Sequence, residues 1–138
     1  MIIDVSDFSL DLTLNSGQTF IWKKIDDTYY SFVDYPISVK ELNGKLYIEG
    51  NVTESYIRNK LGLYDDITDI ERSIDKDDFI HDAINYSHGI RVINDGLWVS
   101  TLSFILSIQS NINLIQRYWI VYFYTVYMIY LFFQWTFG

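Results

Sequence analysis

Residues 16–22, Ser-Gly-Gln-Thr-Phe-Ile-Trp, set a glycine turn immediately before aromatic residues on alternate positions. The chemistry open to such a stretch is recognition by the main chain. Gly17 can hold a backbone conformation closed to other residues, and its missing side chain lets a ligand approach the peptide group closely. An ordinary strand connection would use the same turn chemistry. A second polar feature, Gln109-Ser110-Asn111, lies between two apolar helical patterns and forms an exposed connection of amide and hydroxyl side chains. Metal chemistry finds little support. The chain has no cysteine, and His81 and His88 stand seven residues apart without the i, i+4 spacing of a helical metal pair. No metal and no cofactor are expected.

These features need elements to position them. The run 8–14, Phe-Ser-Leu-Asp-Leu-Thr-Leu, alternates apolar and polar residues and predicts a half-buried strand ahead of Gly17. Further strands are expected over 18–24, 28–34, 37–42 and 45–50. Asp26-Asp27 and Asn43-Gly44 serve as turns, the latter being a strong hairpin signal. Phe20 and Trp22 would share one face under period two. The only proline, Pro36, falls between strands. The period then changes. Thr53 opens a helix to about Leu61 that ends at Gly62, and acid-led helices follow over 66–73 and 76–87, the last closed by His88-Gly89. Asp95 is placed to cap a longer helix through about Ile108 with an apolar face of Leu97, Leu102, Ile105 and Leu106.

Composition bounds the partners. The 138 residues are 49% hydrophobic, which suits one small domain and the start of another. A net charge of −8 argues against contact with phosphates, but the acids concentrate at 65–66, 69–71 and 75–82. Lys23, Lys24, Lys40, Lys45, Arg58, Lys60, Arg91 and Arg117 lie outside that acidic face.

Ser16-Gly17-Gln18-Thr19-Phe20-Ile21-Trp22, Gly89-Ile90-Arg91 and Ser103-Phe104-Ile105-Leu106-Ser107, in this order, resemble the N-terminal part of 8-oxoguanine DNA glycosylases of the helix-hairpin-helix superfamily. The resemblance covers roughly residues 8–117, with Ile21 where the family has arginine. It implies an α+β fold, an antiparallel β-sheet with short helices, followed by the first helices of an incomplete all-α domain. The implied division is 1–93, the N-terminal-like domain; 94–117, the start of the helical domain; and 118–138, a tail. It further implies a double-stranded DNA partner containing 8-oxoguanine, a base-excision repair role, and a cytoplasmic, nucleoid-associated place. The lesion contact would be the Gly17 carbonyl. Guanine presents a bare acceptor at N7 where 8-oxoguanine carries hydrogen, and leaving a buried acceptor unpaired costs roughly 1–3 kcal/mol. Gln109, Ser110 and Asn111 would brace the gap beside the widowed cytosine. Gln109 stands where the family has its leading asparagine, Asn111 keeps the last, and Leu114 replaces an arginine.

The family's Leu-Pro-Gly-(Val/Ile)-Gly-x-Lys hairpin, its nucleophilic lysine and its later aspartate are absent, so no catalytic residue is assigned and no bond cleavage is expected. In their place, residues 118–138 carry no charged side chain, whereas the chain overall is 20% charged. A frameshift near Arg117 in an A/T-rich gene, a membrane anchor and a folded extension all yield such a tail. Three functions follow: a truncated repair glycosylase, a non-catalytic module that binds damaged DNA, or a tail-anchored membrane protein with an acidic soluble part. If the helical domain is incomplete, Leu102, Phe104, Ile105 and Ile112 should be left partly exposed.

Overall fold

The computed structural model describes residues 1–108 and 110–137, with side chains described as far as Ile129. The elements run β1 (Ile2–Asp4), α1 (Leu10–Asn15), β2 (Trp22–Ile25), β3 (Thr28–Ser31), β4 (Ile37–Leu42), β5 (Lys45–Gly50), α2 (Glu54–Lys60), α3 (Ile67–Ile74), α4 (Asp78–Ser87), α5 (Gly96–Ser107) and α6 (Ile112–Phe137).

β2 to β5 form an antiparallel meander, and β1 adds to its far edge in the order β1-β5-β4-β3-β2. Both short turns use left-handed residues: Asp26 between β2 and β3, and Asn43-Gly44 between β4 and β5. Period two places Ile3, Leu46, Ile48, Val39 and Tyr29 on one buried face, across which Ile3 pairs with Leu46 and Val39 with Ile48 and Tyr29. Leu10 and Leu14 of α1, Ile57 and Leu61 at α2, Val99 of α5, and Ile115 and Trp119 of α6 complete this core.

The expected strand over 8–14 is a helix instead. Leu10, Thr13 and Leu14 are buried at i, i+3 and i+4, a helical stripe that the same letters also permit. Long-range capping decides between the periods. The Leu12 N–H donates to Ser9 Oγ at 3.3 Å, and the Leu10 N–H donates to Glu41 Oε2 at 2.7 Å, from β4. β2 begins only at Trp22, and Ile21 and Trp22 are both buried while Phe20 is half-buried, so strict alternation fails there.

The helices expected after residue 50 form close to their sequence limits. Thr53, Asp66 and Asp77 cap α2, α3 and α4 through side-chain oxygens. α3 and α4 bury no residue, as the acidic run predicted. Asp95 precedes α5 without a side-chain cap, because its carboxylate faces Lys60 Nζ at 3.4 Å. α5 and α6 are joined by a bond from Trp119 Nε1 to Ser103 Oγ at 3.1 Å, with both side chains buried. Phe104, Ile105 and Ile112 are exposed and Leu102 is half-buried. α6 runs unbroken across residues 117 and 118. Among the described residues no helix is long and apolar enough to cross a membrane.

Candidate functional site

α1 ends at Asn15, and Gly17 turns the chain toward β2 with φ of +85°, a conformation that favours glycine. Gly17 is exposed, and a methyl group built on it would meet nothing within 4 Å. Among the described residues no donor bonds the Gly17 carbonyl.

The turn is held by its neighbours. Ser16 Oγ donates to the Thr13 carbonyl at 2.8 Å. Gln18 Nε2 donates to Ser16 Oγ at 2.9 Å and to the Arg91 carbonyl at 2.8 Å, while Gln18 Oε1 accepts from the Ile93 N–H at 3.1 Å. The Arg91 N–H donates to Thr13 Oγ1 at 3.1 Å. Gln18 therefore satisfies both polar groups of a passing segment and fixes the glycine turn to residues 91–93. The sequence signals this clamp only by a glutamine beside the glycine, within the span 18–24 expected as a strand.

The Gly-Ile-Arg segment has its own anchor. The Gly89 carbonyl accepts from the Ser9 N–H at 2.9 Å, and a methyl group at Gly89 would lie 2.9 Å from that nitrogen, so only glycine fits. Arg91 is buried, donates to the Asp7 carbonyl, and lies 6.0 Å from the Phe8 ring. Burial pulls its guanidinium pKa down, against the opposing pull of Asp7 and Glu71. Its place is within the fold.

Other cations are committed as well. Lys24 and Tyr29 both donate to Asp11 Oδ1, the latter at 2.6 Å, and these bonds hold the Asp11 carboxyl below the usual carboxylate range. Lys60 is buried and donates to Asp34 Oδ2 at 2.8 Å. Lys40, Lys45 and Arg58 pair with Asp27, Asp4 and Glu54. Of the basic residues counted as available, most neutralise this chain's own acids. Lys23 and Arg117 are exposed and, among the described residues, form no ion pair.

The second polar feature is a tight connection between α5 and α6. Asn111 caps α6, its Oδ1 accepting from the Leu114 N–H at 3.0 Å. The Ser110 N–H donates to the Ser107 carbonyl at 3.2 Å. Gln109 lies outside the described residues. A groove of about 930 Å³ between the β2–β3 hairpin and α6 brings Asn111 alongside Phe20, Trp22 and Lys23. Gly17 and Ser110 are not part of its lining.

The family model described as 8-oxoguanine DNA glycosylase, N-terminal domain, matches residues 1–100. The chain belongs to this family. Among solved structures, it is similar to MBOgg1 in complex with a low-affinity DNA ligand, at 29% identity and a TM-score of 0.75 over 83% of this chain and 42% of that one. The Clostridium acetobutylicum 8-oxoguanine glycosylase/lyase in its apo form shares the fold at 22% identity and a TM-score of 0.72, over 84% and 46%. The same enzyme, in complex with double-stranded DNA containing cytosine opposite 8-oxoguanine, gives 22% and 0.71 over 84% and 45%. The chain thus spans less than half the length of each of these solved structures. No curated protein sequence matches it.

Proposed function

We propose that the chain is the lesion-recognising part of a base-excision repair glycosylase and binds double-stranded DNA containing 8-oxoguanine. The observation that carries this reading is the Gly17 carbonyl, unbonded among the described residues on an open left-handed turn and braced through Gln18. Such an acceptor pairs with the N7–H of 8-oxoguanine and faces the bare N7 of guanine with nothing to accept. Because the buried group is then left unpaired, a single contact of this kind discriminates by roughly 1–3 kcal/mol.

The connection Gln109, Ser110 and Asn111 is the part assigned to the gap left by an extruded base, with Asn111 already fixed at the start of α6. Residues 1–93 act as the N-terminal-like domain and 94–117 as the opening of the helical domain, with 118–138 outside the resemblance. Repair on chromosomal DNA places the protein in the cytoplasm at the nucleoid. The only proline is Pro36, so the Leu-Pro-Gly hairpin and its lysine do not occur in these residues. The activity proposed for them is binding, without glycosidic cleavage.

Fluorescence anisotropy of labelled duplexes, titrated with the full chain at stepped salt, tests the reading. Saturable binding that weakens steeply as salt rises supports it through phosphate contacts, and no binding at low salt overturns it.

A further inference from the structure

The groove between the β2–β3 hairpin and α6 differs in character from the rest of the surface. Its 930 Å³ lies within the usual range of small-molecule sites. The walls are aromatic: Phe20, Trp22 and Phe32 come from the sheet side, and Trp119 and Phe123 from α6. Phe32 and Phe123 meet across it with ring centroids 5.4 Å apart, and Phe123 stacks on Tyr127 at 6.1 Å with planes 9° apart. In a chain with 18 acidic residues and a net charge of −8, none of the 18 lines this groove.

Two cations do line it. Lys23 on β2 and Arg117 on α6 stand on its opposite sides, and among the described residues neither is in an ion pair. Asn113 and Gln116 add amide groups along the α6 side. One wall also carries an unmet donor. Trp22 is 5% exposed, and among the described residues its buried Nε1 has no hydrogen-bond partner, whereas the comparable Nε1 of Trp119 is satisfied by Ser103.

We infer that this groove is a binding site for a nucleotide, separate from the Gly17 turn. The base lies against the aromatic lining, whose rings stack on any purine or pyrimidine face. The indole of Trp22 forms part of that lining, and Lys23 and Arg117 supply the positive charge that a phosphate requires. An aliphatic anion would leave the ring faces unused, and a neutral aromatic ligand would leave both cations without a partner. Free nucleotide and a nucleotide unit of a single strand present the same chemistry, and both are tested.

Deoxyguanosine 5′-monophosphate is titrated into the full chain by calorimetry, with deoxyguanosine, inorganic phosphate and a single-stranded trinucleotide in parallel. Indole N–H resonances are followed by NMR. Saturable binding of the monophosphate is expected below about 1 mM. Loss of the phosphate in deoxyguanosine, or either Lys23→Gln or Arg117→Gln, should weaken it about tenfold. Both substitutions are at exposed positions, so the fold survives them. One indole N–H resonance should shift on binding and be absent from Trp22→Phe. Equal affinities for monophosphate and trinucleotide assign the site to free nucleotide; tighter, salt-sensitive binding of the trinucleotide assigns it to a strand. No saturation by either ligand, or affinities untouched by both charge substitutions, overturns the inference.

Discussion

Gln18 and Arg91 are joined across 73 positions of sequence by a side-chain-to-main-chain hydrogen bond of 2.8 Å, and Gln18 Oε1 closes the clamp on the Ile93 N–H. The glycine turn thereby depends on a segment at the entrance to α5. Gln18→Ala removes all three of its bonds. Since the side chain is partly exposed, the loss of stability should be about 1 kcal/mol, read as a lowered urea midpoint at unchanged m-value. Gln18→Glu keeps the acceptor toward Ile93 but sets a carboxylate oxygen against the Arg91 carbonyl, and should lose at least as much.

Lys60 is almost fully buried between Asp34 and Asp95, which come from the β3–β4 connection and the start of α5. Lys60→Met leaves Asp95, itself only 8% exposed at its side chain, facing no cation at this position. A destabilisation of about 3 kcal/mol is expected from the uncompensated charge, read as a lowered urea midpoint. A midpoint unchanged from the native chain in chemical denaturation would contradict this.

Asp11 supplies an acid-side dependence. Its pKa is held below the ordinary 3.8 by hydrogen bonds from Lys24 first and Tyr29 second. A carboxyl whose folded pKa is depressed contributes stability above its unfolded pKa and loses it as pH falls through the folded one. Stability should therefore decline below about pH 4. In Asp11→Asn this part of the decline should be absent while stability at pH 7 is already reduced, a difference measurable by thermal melts at stepped pH.

Trp119 ties α6 to α5 by burial and by its bond to Ser103. Trp119→Ala should cost about 3–5 kcal/mol and expose the apolar face of α5. Increased binding of a hydrophobic dye, compared with Tyr124→Ala at an exposed position of the same helix, would register the undocking.

Much of the sheet could be read from the letters, because Asn43-Gly44 and the alternation of Ile37, Val39, Leu46 and Ile48 act locally. The bounds of β4 and β5 coincide with the expected 37–42 and 45–50. The α1 segment was misread because its leucines satisfy both periods, and the tie is broken by Glu41, thirty-one residues away. β1 was missed for a related reason: three residues carry no pattern of their own and gain strand form by pairing with β5. The turn at Gly17 was legible from its residue type and its flanks. The clamp by Gln18 and the commitment of Lys24 and Lys60 to internal acids were not, since each depends on a partner distant in sequence.

The most direct test compares the full chain with Gly17→Ala on two duplexes that differ only in 8-oxoguanine or guanine opposite cytosine, at one low salt concentration. The native chain should prefer the lesion duplex by about tenfold. Gly17→Ala meets no steric clash but is strained at φ of +85°, so the carbonyl should move and the preference should collapse toward unity while affinity for undamaged duplex changes little. Equal affinity of the native chain for the two duplexes, or a lesion preference that persists in Gly17→Ala, would contradict recognition through the Gly17 carbonyl.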